Sequence, residues 1–378
     1  MKYPIGIQDF EDLQRNGYAY VDKTNFVYKL ADEGKYYFLS RPRRFGKSLF
    51  LSTLEAYFQG KKELFEGLAI YDLETEWKKY PIFHIDLNTA NFREKDSLYT
   101  VLNDYLTTWE SKYGARESEA TLALRFKGVI ARAAEKEGCG VVILIDEYDK
   151  PILQTLRAPE LQAEHRAQLK AFYSVLKTQD RYIKFAFLTG VTKFGKVSVF
   201  SDLNNLTDIS MDHRYISICG MTEKELLTNF KEGISELASA NEDNETETID
   251  KLRMRYSGYH FEENSEEIYN PFSVLNTLAN SRYDDYWFKA NTHTFLIDIL
   301  RKHDYCITNL SKAQIKANMM NNVDSNPIPV IYQSGYLTIK SYDERFKNYQ
   351  LGIPNKEVEE GILNTLLPHG CKTAEMDC

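Results

Sequence analysis

The sequence predicts an α/β architecture: a parallel sheet with helices on both faces over the first 220 residues, followed by a mostly helical region. Three observations predict it. Short strand-like and helix-like segments alternate along this part of the chain, the order that builds parallel sheets through crossover connections. The run Val141-Val142-Ile143-Leu144-Ile145 is apolar without alternation, as in a strand covered on both faces. Lastly, the apolar Tyr36-Tyr37-Phe38-Leu39 passes through the tight stretch Arg41-Pro42-Arg43-Arg44-Phe45-Gly46-Lys47-Ser48 into a helical pattern.

In chain order, residues 1–34 read as an N-terminal arm packed beside that stretch, with Phe26 and Leu30 at helical spacing. A strand at Tyr36 to Ser40 precedes a helix from Lys47 to about Gln59, stopped by Gly60. Pro81 to Leu87 suits a buried strand. Residues 97–136 carry two helical segments, one with Leu98, Val101, Leu102, Tyr105 and Leu106 on a face, the other with Leu122, Leu124, Phe126, Val129 and Ile130; Gly138-Cys139-Gly140 ends them. The buried strand at 141–145 follows, then a helix over Ala163 to Lys177. A strand at Ile183 to Leu188 ends at Thr189-Gly190, and another short strand is expected at Tyr215 to Ile218.

Beyond residue 221 helix signals dominate. Thr222-Glu223-Lys224-Glu225 has the form of a capping box ahead of Leu226, Leu227 and Phe230. Further helices are expected at Thr248 to Tyr256, Pro271 to Ala279 and Thr294 to Lys302, and the piece Tyr332 to Ile339 reads as a strand following a glycine turn. The expected segments are therefore 1–220, 221–345 and a tail over 346–378.

Composition narrows the class. A net charge of -8 argues against coating nucleic acid by bulk electrostatics, although a local basic groove can sit on an acidic whole. Five scattered cysteines with no CxxC pair read as free thiols of a reducing compartment. No apolar run approaches the roughly 20 residues of a membrane span, and the first residues lack a signal-peptide core. A cytoplasmic protein without membrane contact is expected.

The chemistry is concentrated at strand ends. A strand, a turn closing on Gly-Lys-Ser and a helix form the layout of a phosphate-binding loop, because helix-start N–H groups and a lysine together hold polyphosphate. The candidate nucleotide-contacting residues are Arg43, Arg44, Phe45, Gly46, Lys47, Ser48 and Leu49. The position of the first glycine of a Walker-type loop is Arg41, and Pro42 has no N–H to offer. Gly46 allows close backbone approach, Lys47 pairs with terminal phosphates and the Ser48 hydroxyl is a ligand for Mg²⁺. Asp146, ending the apolar strand, is the second candidate Mg²⁺ ligand, and Glu147 after it can orient or deprotonate an attacking water. The two motifs come in the right order, each at the carboxyl end of an apolar strand, where open α/β sheets bind ligands. The candidate catalytic residues are thus Lys47, Glu147 and Thr189, the last either sensing a terminal phosphate or capping a turn.

Other groups are weighed less. Lys193, Lys196 and Arg214 read as a solvated basic surface. Arg41, Arg43 and Arg44 need anions beside them: the nucleotide, Asp22 of the N-terminal arm, or nucleic-acid phosphate. The aromatics Tyr256, Tyr259, Phe261, Tyr269, Phe272, Tyr286, Trp287 and Phe288 read as core rather than base-stacking surface.

With RPRRFGKS, IDEYDKP, FLTGVTKF and YNPF in that order, the chain resembles the bacterial and archaeal AAA-ATPase-like family. The similarity runs from Tyr20-Val21-Asp22-Lys23-Thr24 to Gly352-Ile353-Pro354-Asn355-Lys356-Glu357. That resemblance implies a P-loop NTPase parallel sheet of the additional-strand, catalytic-glutamate type, with ATP and Mg²⁺ as cofactors. It makes Arg41 a family trait, Lys47 and Ser48 the phosphate and Mg²⁺ positions, Asp146 and Glu147 the Walker B pair, and Thr189 the strand-end sensor. Members typically carry a PD-(D/E)XK nuclease-like domain after the ATPase part, so 346–378 is expected to be a tail or the truncated start of one. Three functions follow: an ATP-binding protein whose Mg²⁺-dependent hydrolysis switches a protein partner or appended domain, a non-hydrolysing nucleotide-binding scaffold, and a nucleic-acid-processing accessory.

Overall fold

The computed structural model describes residues 1–193, 205–290, 296–297, 299–300, 303, 305, 307–320 and 326–366. Its contacts divide the chain into two compact units. One comprises residues 22–40 and 48–209; the other comprises residues 1–21, 41–47 and 210 onward. The units are interleaved in the chain, whereas the expected boundaries at 220 and 345 separate consecutive segments.

The first unit is built on a five-stranded parallel sheet: β1 (Tyr36–Ser40), β2 (Ile82–Asp86), β3 (Val141–Asp146), β4 (Ile183–Gly190) and β5 (Thr207–Asp208), in the order β2-β3-β4-β1-β5. β4 lies between β1 and β3, so a strand is interposed between the one leading to Gly-Lys-Ser and the one ending at Asp146, as expected for the additional-strand type. Every residue of β3 is buried, which explains its unbroken apolar run. β2 has β3 as its neighbour and alternates buried with half-buried residues. The helices Ser97–Tyr113 and Leu122–Glu137 form as expected. Trp109 of the first stacks on Phe83 of β2 at 4.4 Å, and Phe126 of the second stacks on Phe172 of the helix Pro159–Tyr173 at 4.3 Å.

The helix expected from Ala163 starts earlier, as Pro159–Tyr173, because Pro159 is already preset for the first helical turn. A separate short turn, Val175–Thr178, follows it. In the N-terminal arm, Asp22 accepts from the Thr24 N–H and hydroxyl and from the Ala69 N–H. Its carboxylate thus joins the helices Thr24–Glu33 and Ala69–Leu73.

The second unit contains the described helices beyond residue 220. The predicted capping box at Thr222 and Glu225 is present, and Asn244 with Glu247 makes another. Behind these caps Met221, Leu226, Phe230, Ile234, Leu237, Leu252, Tyr256, Tyr269, Val274 and Leu278 pack into one core. β6 (Met221–Thr222) pairs antiparallel with β7 (Ile268–Tyr269), and β10 (Asn348–Gly352) lies between β8 (Gln314–Lys316) and β9 (Thr338–Asp343). Residues 346–366, expected as a tail, carry β10 and the helix Lys356–Leu366.

One expected strand is not a strand, and another begins later than expected. Tyr215 to Ile218 lies in the 3₁₀ helix His213–Ile218, whose first turn is capped by the Asp212 carboxylate. The run beginning at Tyr332 completes the helix Pro327–Gln333, and the strand starts only at Thr338. Asn326 accepts from the Ile328 N–H and Pro327 supplies the first helical residue, an N-terminal signal that outweighs the β-branched composition. The helix expected at 294–302 falls largely outside the described residues.

Candidate functional site

After β1 the chain turns through Arg41–Gly46 and enters the helix Lys47–Phe58. Gly46 sits at φ +95°, where a side chain would be strained although nothing would obstruct it. Arg44 is a non-glycine residue at φ +68°; that conformation costs on the order of 1–2 kcal/mol. The Arg44 guanidinium lies over the Phe272 ring at 4.8 Å, a cation–π contact that helps hold the strained turn. The Phe45 ring packs edge-on against Tyr259 and Phe261, and its carbonyl accepts from the Gly220 N–H at 2.9 Å.

The three arginines separate in role. Arg41 is 1% exposed. It donates to the carbonyls of Ser210 at 2.7 Å, Tyr215 at 3.2 Å and Ile216 at 3.4 Å, and its face covers the Phe261 ring at 4.0 Å. Backbone dipoles and an aromatic face thus lie against this charge. The same bonds engage the carbonyls of Tyr215 and Ile216 away from any ladder, consistent with a helical turn there. Among the described residues neither Arg43 nor Arg44 forms an ion pair with a carboxylate. Lys193 instead pairs with Asp208 and Arg214 with Asp212; Lys196 lies outside the described residues.

Lys47 is buried, and its ammonium donates to the carbonyls of Arg41 at 3.1 Å and Pro42 at 3.3 Å. With Ser48 and Leu49 it forms the first turn of the helix, whose leading N–H groups have no partner within the helix itself. Such a turn suits an anion.

At the ends of β3 and β4 a second set converges on Asp146, 4% exposed. Its carboxylate accepts from the Ser48 hydroxyl at 2.5 Å, the Thr189 hydroxyl at 3.1 Å and the Glu147 N–H at 2.9 Å. Thr189 therefore acts on Asp146 as a positioning residue. Glu147 itself takes φ +51°, and strained residues of this kind are held by what surrounds them. The holding groups are Tyr148, whose N–H donates to Thr189 O and whose hydroxyl donates to Thr192 O, and Asp149. Asp149 is fully buried and accepts from the Val191 and Thr192 N–H groups and the Thr192 hydroxyl.

An ionisable pair of the first unit also joins β2 to the helix Lys47–Phe58. His84 on β2 pairs through Nδ1 with Glu55 of the helix Lys47–Phe58 at 2.7 Å. Burial opposes charging of the imidazole, but the bond and charge of Glu55, with Asp146 and Asp86 adding, raise its pKa above the usual histidine value. The sequence did not mark Asp149, His84 or Glu55. Asp149 stands within IDEYDKP, and an acid three residues past the strand-end aspartate was the available signal. His84 and Glu55 are distant in sequence and left none.

The chain matches the family model described as Predicted AAA-ATPase over residues 4–200. It is also similar to a protein of Azotobacter chroococcum mcd 1 described as an uncharacterized protein in the vnfD 5' region. The two are 37% identical over 372 residues, covering 97% of this chain and 70% of the relative.

Proposed function

This chain belongs to the AAA-ATPase-like family, and on that premise we propose that it binds ATP with Mg²⁺ and hydrolyses it slowly as a conformational switch. The observation that carries the reading is the contact of the Ser48 hydroxyl with the Asp146 carboxylate, one residue after Lys47 in the same helical turn. A hydroxyl and a carboxylate oxygen are the hard ligands Mg²⁺ takes alongside phosphate oxygens and water. No group of three or more His, Cys, Asp or Glu side chains among the described residues forms a metal cage of its own. Ser48 and Asp146 would therefore hold Mg²⁺ together with the nucleotide, and the ion supplies charge neutralisation at the phosphates.

Each residue then has a definite task. Lys47 places a positive charge on the terminal phosphates, and Arg43 and Arg44, which have no carboxylate partners among the described residues, add to it. Thr189 fixes the Asp146 carboxylate. Glu147 orients an attacking water or takes its proton, from a backbone conformation set by Tyr148 and Asp149. Loss of the γ-phosphate releases the contacts that order the loop, and this signals to a protein partner or an appended nuclease-like domain. A nucleic-acid accessory is the second reading, favoured by the same two guanidiniums and opposed by the net charge of -8.

Steady-state phosphate release from Mg²⁺-ATP tests hydrolysis. Turnover is expected for the unaltered chain and its loss in Glu147→Gln, with nucleotide binding kept. Equal turnover in the variant removes Glu147 from its role, and no turnover in the unaltered chain leaves a non-hydrolysing binder.

A further inference from the structure

We propose that Trp287, held by the buried Glu357, is a positioning residue of the phosphate-binding loop, so that nucleotide at the loop and the helix Lys356–Leu366 respond to each other. The inference rests on the nucleotide-binding reading and adds to it a route for regulation. Every contact it uses lies within the second unit.

Two directed bonds of Trp287 carry the connection. Its indole Nε1–H donates to the Arg43 carbonyl at 2.9 Å, inside the stretch assigned to the nucleotide. Its main-chain N–H donates to Glu357 Oε1 at 2.8 Å. Glu357, the second residue of the helix Lys356–Leu366, is 0% exposed, and both its oxygens accept from the Ser273 hydroxyl, at 3.0 and 2.8 Å. A buried carboxyl is costly unless its hydrogen bonds are satisfied. That cost locks the orientation of Trp287 to the position of the helix.

Further contacts hold Trp287 and the helix in place around these bonds. Arg255 joins Asp285, immediately before the turn carrying Trp287, to Glu360 of the helix at 2.8 and 3.0 Å. Phe288 packs on the backbone of Gly361 so closely that a Cβ there would fall 2.2 Å from its ring. On the loop side, a Cβ on Gly335 would fall 2.8 Å from Pro42 Cβ, and Tyr336 packs on the Trp287 ring at 5.5 Å. A shift of the Arg43 carbonyl on nucleotide binding therefore pushes on Trp287 and through it on Glu357. By reciprocity, whatever holds the helix biases the loop.

Hydrogen–deuterium exchange on the full chain, with and without Mg²⁺ and the β,γ-imido analogue of ATP, tests this. In the unaltered protein the analogue is expected to slow exchange at 41–48 and to change it at 356–366. Trp287→Phe keeps the aromatic packing but loses the N–H. It should retain a response at 41–48, lose the one at 356–366 and bind the analogue about ten-fold more weakly, the order of one lost hydrogen bond. Glu357→Gln, which keeps an acceptor for the Trp287 N–H, should behave as the unaltered chain. A role in packing alone would lower stability and leave the remote response in place. Protection at 41–48 with no change at 356–366 in the unaltered chain, or a remote response that persists in Trp287→Phe, overturns the coupling and leaves the nucleotide site standing. Absence of any response at 41–48 overturns both. If Trp287→Phe does not fold, the unaltered chain decides the question.

Discussion

Ser48 and Asp146 touch: the hydroxyl of one donates to the carboxylate of the other at 2.5 Å, across 98 residues of sequence. A serine in a helix's first turn and an aspartate at a strand end are brought together, the pair proposed above to hold Mg²⁺. Removing the hydroxyl in Ser48→Ala is expected to abolish the gain in nucleotide affinity that Mg²⁺ confers, about ten-fold or more, while Mg²⁺-free binding changes little. Titration with ATP in the presence and absence of a chelator reads this, and an unchanged Mg²⁺ effect would remove Ser48 from the metal site.

Arg41 occupies the position of a glycine in a Walker-type loop, and the substitution that restores the glycine is expected to harm the protein. Arg41→Gly deletes three bonds to buried carbonyls and the contact with Phe261. A loss of about 3 kcal/mol or more in denaturant unfolding is predicted, since a buried acceptor left without its donor costs about 1–3 kcal/mol. A neutral or stabilising effect would contradict the structural role.

That residue also marks where the sequence ceased to be legible. Strand, Gly-Lys-Ser and helix are local, and the strand ending at Asp146 shows itself by an unbroken apolar run, so the sheet and the main site residues could be read directly. The partners of Arg41 are main-chain carbonyls some 170 residues away, and a carbonyl has no signature in a sequence. Asp22 was set beside the loop arginines on charge alone, yet backbone N–H groups take it up. Tyr215 to Ile218 was expected as a strand and the piece from Tyr332 as a strand following a glycine turn; the caps at Asp212 and Asn326 set helical turns at His213–Ile218 and Pro327–Gln333. The aromatics read as core do include buried rings, but two of them, Phe261 and Phe272, lie under Arg41 and Arg44.

Asp149, in the turn after β3, holds the residues that follow β4. In Asp149→Asn one oxygen becomes an NH₂ group facing donors at Val191 and Thr192, so a destabilisation of about 2–3 kcal/mol is expected. Turnover should fall further than stability alone explains, because the conformation of Glu147 depends on this turn. Wild-type turnover at a temperature where the variant is folded would contradict that dependence.

Glu357 gives a dependence on pH with a definite sign. Burial pushes its pKa up to about 8, against the lowering effect of the bonds from Ser273 and the Trp287 N–H, from 4.5 in an exposed chain. The folded state thus keeps a proton that the unfolded chain gives up. Its contribution to stability is complete below about pH 4.5 and is lost as pH rises toward 8, by up to about 1.4 kcal/mol per unit. Glu357→Gln cannot titrate, so its unfolding midpoint should decline less than that of the unaltered chain over the same window. Parallel curves would show that the acid is not held neutral.

The central claim is that nucleotide binds at Lys47 and Ser48, and the change in melting temperature on adding Mg²⁺-ATP tests it most directly. A ligand at 100 times its Kd stabilises a folded protein by about 2.7 kcal/mol. The melting temperature of the unaltered chain should therefore rise with ATP concentration, and that of Lys47→Ala, folded to the same extent without nucleotide, should not. No rise at ATP on the order of millimolar, in protein first shown to carry no bound nucleotide, or an equal rise in both proteins, would contradict it.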